Sequence, residues 1–159
     1  MFFRRASPPP DPDTLEIRRV MVASEGRKIS HDVIVRAMEL ARPQGASLFV
    51  MTIARVWGTS LGFPNPGLMP SKHEWDEQRL NVREAVSAFQ KAGFEADGMV
   101  LATRRGAKRI LREARRRQVD AIVMGSDPKR SILGDFIWSQ EPHRIARRSR
   151  QIPVYLVER

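Results

Sequence analysis

The sequence predicts an α/β fold, a five-stranded parallel sheet in a doubly wound α/β/α sandwich, and three observations lead there. Short runs rich in β-branched residues recur at residues 16–23, 47–54, 99–103, 121–124 and 152–157. Between them lie stretches whose apolar residues repeat at helical spacing. The last two runs, D-A-I-V-M-G-S (Asp120 to Ser126) and I-P-V-Y-L-V (Ile152 to Val157), are separated by a loop and a basic helical stretch, which is half of a parallel sheet. Strands that alternate with helices require right-handed crossovers and a sheet covered on both faces. Ligands on such sheets bind at the carboxyl ends of the strands, so Gly125 and Ser126 and the loop after them are where function is sought first.

In chain order, residues 16–23 (E-I-R-R-V-M-V-A) form the first strand, which stops at S-E-G, where glycine permits a tight turn. Ser30 is an N-cap for a helix to about Arg42, with Val33, Ala37, Met38 and Ala41 on its inner side, ended by Pro43 and Gly45. Residues 47–54 (S-L-F-V-M-T-I-A) are apolar throughout and read as a strand buried on both faces. Residues 57–70, rich in Gly and Pro, read as a long loop without helix or strand. Ser71 and Glu74 make a capping box for a helix that ends near Gly93 and sets Trp75, Val82, Val86 and Phe89 along one stripe.

After the third strand at 99–103, a helix from Ala107 to about Gln118 buries Ala107, Ile110, Leu111 and Ala114. It exposes Lys108, Arg109, Arg112, Arg115 and Arg116 as a basic outer face. The fourth strand is 121–124, and a final helix around 142–149 leads to the fifth strand.

Composition narrows the function classes. Hydrophobic residues at 42% and charged residues at 29% suffice for a packed core under a solvated surface, in one domain over 15–159 behind a flexible tail at 1–14. There is no cysteine, so disulfides and thiolate catalysis are excluded, and His31, His73 and His143 lie too far apart in sequence to suggest a metal site. No apolar run approaches the roughly 20 residues of a membrane span, and the N-terminus lacks the apolar core of a secretory signal, so a cytoplasmic protein is expected. The net charge of +10 attracts anions of every size. No aromatic residues interleave with the arginines of residues 107–118 or 144–150, so nucleic acid is not the expected partner.

With V-M-V-A-S-E-G, A-I-V-M-G-S and I-P-V-Y-L-V in that order, the chain resembles the universal stress proteins over residues 15–158. The resemblance implies a sheet of the adenine nucleotide alpha hydrolase-like kind and a regulatory, non-enzymatic protein. It also implies a homodimer paired through the last strand, here Val154, Tyr155, Leu156 and Val157. Many members bind ATP through a G-x2-G-x9-G-(S/T) run after the fourth strand, with an acidic residue closing the first strand near the adenine. The first glycine of that run matches Gly125, the second falls on Pro128 and the third on Trp138, followed by Ser139. Proline has no N–H to offer a phosphate. In a second register K-R-S-I-L-G-D (Lys129 to Asp135) is similar to the family's K-R-L-L-L-G-S, which puts Gly134 at the third glycine and Asp135 where Ser or Thr would stand. The segment from Asp135 to Ile145 is then an insert.

The resemblance therefore implies a nucleotide or anion site at Ala23, Ser24, Glu25 and Gly26 after the first strand, Gly125 and Ser126 after the fourth, and Lys129, Arg130, Gly134 and Ser139 beyond it. Its ligand would be ATP or another adenine nucleotide, or a different small anion. No catalytic residue and no metal ligand are assigned. Slow ATP hydrolysis and a basic partner- or nucleic-acid-binding module stand as the alternatives.

Overall fold

The computed structural model describes residues 8–55, 59–60, 63–64, 69–126, 145 and 151–158. Its strands and helices are β1 (Arg19–Ser24), α1 (His31–Ala41), β2 (Ser47–Arg55), β3 (Thr59–Ser60), β4 (Phe63–Pro64), α2 (Lys72–Lys91), β5 (Ala96–Thr103), α3 (Gly106–Arg116), β6 (Ala121–Ser126) and β7 (Val154–Glu158). Five strands form one sheet in the order β5-β2-β1-β6-β7, and every pairing in it is parallel. The chain steps from β1 outward to β2 and β5, then crosses to β6 and β7. The direction of winding thus reverses between β1 and β6.

Alternation along each strand divides the core in two. Val20 and Val22 of β1, Leu48 and Val50 of β2 and Val123 of β6 face α1 and α2, where Val33, Ala37, Leu40 and Phe89 meet them. Met21, Met51, Ile53, Ile122 and Met124 face the other way, toward Ala107, Ile110, Leu111 and Ala114 of α3. Ile145 is helical and fully buried in that second cluster. The other residues of the helix predicted around 142–149 lie outside the described residues.

The caps follow the sequence. Ser30 Oγ accepts from Val33 N at 3.3 Å and Ser71 Oγ from Glu74 N at 3.1 Å, each satisfying a donor that the first helical turn leaves over. Three local expectations are corrected. Residues 57–70 are not without strand, because Thr59 and Ser60 pair antiparallel with Pro64 and Phe63. A ladder this short tolerates proline at its end, where the missing N–H breaks no longer pairing. β5 starts at Ala96 rather than 99. Asp97 and Gly98 are poor strand formers but are held in register by Phe49 and Val50. β1 begins at Arg19 rather than 16 and runs to Ser24, one residue past the predicted end.

Ahead of β1, in the segment read from the sequence as a flexible tail, Pro12–Thr14 form a turn of 3₁₀ helix capped by Asp11. Tyr155 Oη donates to Pro10 O at 2.8 Å and Gln44 Nε2 to Leu15 O at 3.0 Å. Burial raises the Tyr155 phenol above the usual tyrosine range, with Arg36 pulling in the opposite direction.

Candidate functional site

The reversal of winding between β1 and β6 makes their carboxyl ends the switch point of the sheet, and open α/β sheets bind ligands in the crevice that such a point leaves. β1 and β6 are direct parallel neighbours, paired from Val20 with Ala121 to Val22 with Val123. Their pairing brings Ala23, Ser24, Glu25 and Gly26 to the same end of the sheet as Gly125 and Ser126. Six residues of the predicted site therefore lie together, while Lys129, Arg130, Gly134 and Ser139 lie outside the described residues.

Each of the six has a definite occupation. Ala23 is buried in the α3-side core. Ser24 closes a local turn, its Oγ donating to Arg27 O at 2.5 Å and accepting from Arg27 N at 3.1 Å. Gly26 takes a φ of 85°, the left-handed region that glycine enters without penalty. Ser126 is 3% exposed, and its Oγ has no hydrogen-bond partner among the described residues. Strand alternation puts it on the same face as Met124, the α3 side. Gly125 stands in register with Val157 of β7, leaving backbone without a side chain beside the Ser126 hydroxyl.

Glu25 departs from what a ligand-facing acid would do. It is 9% exposed, and its carboxylate lies 3.6 Å from Arg55 Nη2. Arg55 Nε also donates to the Glu25 carbonyl at 3.1 Å, tying the end of β2 to the turn after β1. The same carboxylate rests on Gly106, the first residue of α3, where an added Cβ would come within 2.9 Å of Glu25 Cδ. The N-cap Arg105 makes no side-chain cap, and the first turn of α3 holds no acid. Glu25 thus supplies the negative charge that the positive end of a helix favours.

Two residues that sequence reasoning missed hold the turn in place from α2. Gln78, 1% exposed, donates from Nε2 to Gly26 O at 3.0 Å. Asn81 accepts from Ile29 N at 2.9 Å and donates to Arg27 O at 2.8 Å, so that three backbone groups of residues 26–29 are met by α2 side chains. The available signal was that polar residues interrupt the inner stripe of α2, at helical spacing with Trp75 and Val82. Trp75 itself is half-buried and stacks with Arg79, whose Cζ lies 5.5 Å from the ring centroid.

Among its described residues the site at the ends of β1 and β6 offers two hydroxyls, Ser24 and Ser126, and one carboxylate, Glu25. No histidine stands among its described residues, and its one carboxylate is engaged by Arg55. Among the described residues no group of three or more His, Asp or Glu is placed to hold a metal ion. No helix among them is long and apolar enough to cross a membrane.

The chain matches the family model of the Universal stress protein family over residues 16–158. No curated protein matches it. Among solved structures it is similar to a universal stress family protein from Burkholderia pseudomallei, with 22% identity and a TM-score of 0.66, covering 89% of this chain and 96% of the other. A universal stress protein from Archaeoglobus fulgidus in complex with dAMP aligns with 20% identity and a TM-score of 0.63, covering 87% of this chain and 95% of the other. A family member from Arabidopsis thaliana with AMP bound aligns with 15% identity and a TM-score of 0.53, covering 89% and 90%. At these identities the likeness is one of fold. The element order, the parallel sheet and the family match over nearly the whole chain place this protein in the universal stress protein family.

Proposed function

We propose that the chain is a non-enzymatic regulatory protein that binds a small anionic ligand, an adenine nucleotide or another phosphate-bearing anion, in the crevice between β1 and β6. The observation that carries this reading is the Ser126 hydroxyl, buried with no partner among the described residues at the point where the sheet reverses its winding. A buried hydroxyl without a partner costs about 1–3 kcal/mol, which a ligand acceptor at that position would relieve. The dAMP and AMP bound by relatives of the same fold support a nucleotide as the ligand.

The residues fit such a group in part. Ser126 and the backbone at Gly125 suit an acceptor of a phosphate or ribose, and Lys129 and Arg130 belong to the site on sequence grounds. Glu25 does not fit as a ligand acceptor, because its carboxylate is turned to Arg55 and to the start of α3. In the same reading β7, the edge strand, pairs with a second copy through Val154, Tyr155, Leu156 and Val157, since an uncovered edge invites pairing.

Calorimetric titration with ATP, ADP, AMP, cyclic AMP and inorganic phosphate tests the reading. At least one should give saturable heat, and Ser126→Val should weaken it about tenfold, the loss of one ligand hydrogen bond. No heat from any of them at millimolar concentration would overturn the binding function.

A further inference from the structure

The outer face of α3 carries a charge pattern that folding does not explain. At 3.6 residues per turn, Arg105, Lys108, Arg112, Arg115 and Arg116 fall within an arc of about 100°, opposite the buried Ala107, Ile110, Leu111 and Ala114, along roughly 16 Å of axis. The single acid of this helix, Glu113, is drawn inward to 4% exposure. There it meets Arg109 at 3.7 Å, Arg116 at 3.2 Å and Arg117 at 3.6 Å. Arg105, Lys108, Arg112 and Arg115 form no ion pair among the described residues.

This arrangement opposes the stability of the helix. Like charges three and four residues apart repel, and Arg105 and Lys108 stand at the end of the helix dipole that favours acids. By contrast α2 mixes signs on its surface, pairing Arg79 with Asp76 and Glu84 with Lys28. Arg19 lengthens the row beyond the last turn of α3, where its Nη1 donates to Arg117 O at 2.8 Å. Asp120, the nearest acid on the chain, is spent on the backbone N–H groups of Arg18 and Arg19 at 2.8 and 2.9 Å.

We propose that α3 and Arg19 form a surface that binds the phosphate backbone of double-stranded nucleic acid without reading its sequence. The exposed large apolar residues among the described ones are Val35, Met69 and Leu80, none of them on α3. A protein partner would call for an apolar anchor at the centre of its interface, and a membrane surface would call for apolar side chains to insert. Nucleic-acid interfaces are polar and strongly positive, as this face is. The lack of aromatic residues weighs against a single strand held by stacking, and it leaves a duplex backbone untouched as a target. This surface is remote in chemistry from the β1/β6 crevice and does not depend on the ligand proposed there.

The test is a binding titration of the full chain with two unrelated duplexes of about two helical turns each, over about 50 to 200 mM salt. With Arg105, Lys108, Arg112, Arg115 and Arg19 on the backbone, and Arg116 left to Glu113, log K should fall against log salt with a slope of about −4.5, a weakening of about 500-fold over that range, and equally for both duplexes. The triple variant Lys108→Ala, Arg112→Ala, Arg115→Ala should make the slope shallower by about 3. The control triple Lys72→Ala, Arg83→Ala, Lys91→Ala on α2 removes the same charge and should leave the slope nearly unchanged. Circular dichroism would establish that both variants are folded. Absence of a complex at the lowest salt would overturn the proposal, as would equal loss in the two variants. Tighter binding of a polyglutamate peptide than of duplex would overturn it in favour of an acidic protein partner.

Discussion

Gly98 is where a single hydrogen decides how closely α2 approaches the sheet. A Cβ there would stand 2.6 Å from Val82 Cγ1, 2.8 Å from Val50 O and 3.1 Å from Val86 Cγ2, with backbone on one side and β-branched side chains on the other. Gly98→Ala should therefore destabilise the fold by about 1–3 kcal/mol, the usual cost of overpacking. Urea denaturation would show it as a lower midpoint at constant m, and an unchanged midpoint would mean that α2 stands off the strand. Neither this role nor that of Glu25 was legible in the sequence. Glu25 was recognised as the acid after the first strand, but its partners Arg55 and Gly106 lie far along the chain and meet it only once β2 and α3 are in place. Ser24 was legible as a turn residue, and the structure adds that its hydroxyl is used within that turn.

At the scale of elements, the 3.6-residue period located α1, α2 and α3 and named the buried positions Ala107, Ile110, Leu111 and Ala114 correctly. Periodicity fails where a polar residue turns inward. Glu113 reads as surface until Arg109, Arg116 and Arg117 surround it, and Gln78 and Asn81, polar on the inner stripe of α2, have no visible reason to be there until the turn after β1 presents backbone groups to them. Asn81→Leu leaves the buried Ile29 N without its partner, at about 1–3 kcal/mol, and takes from Arg27 O one of two donors, the Ser24 hydroxyl remaining. The expected result is lower stability together with faster amide hydrogen exchange at Ile29. Unchanged exchange there would show that Asn81 does not hold the turn.

For the whole molecule, the alternation of strands and helices was sufficient to give the parallel sheet and both covered faces, because right-handed crossovers leave few topologies open. The family resemblance named Ser24, Glu25, Gly125 and Ser126 together, but the strand order that sets β1 beside β6 was not legible, because the crossover rule gives the hand of each connection and not the order of the strands. The division of labour around that site was not legible either. Among the described residues, positive charge gathers on α3 in a one-signed row, whereas the ends of β1 and β6 hold an internally engaged carboxylate and a buried hydroxyl without a hydrogen-bond partner. The most direct measurement is amide chemical-shift mapping of the isotope-labelled chain as AMP is added to saturation. A ligand in the crevice shifts Gly26, Gly125 and Ser126 and leaves Lys108, Arg112 and Arg115 in place. Shifts confined to α3, or none at the ends of β1 and β6, would contradict it.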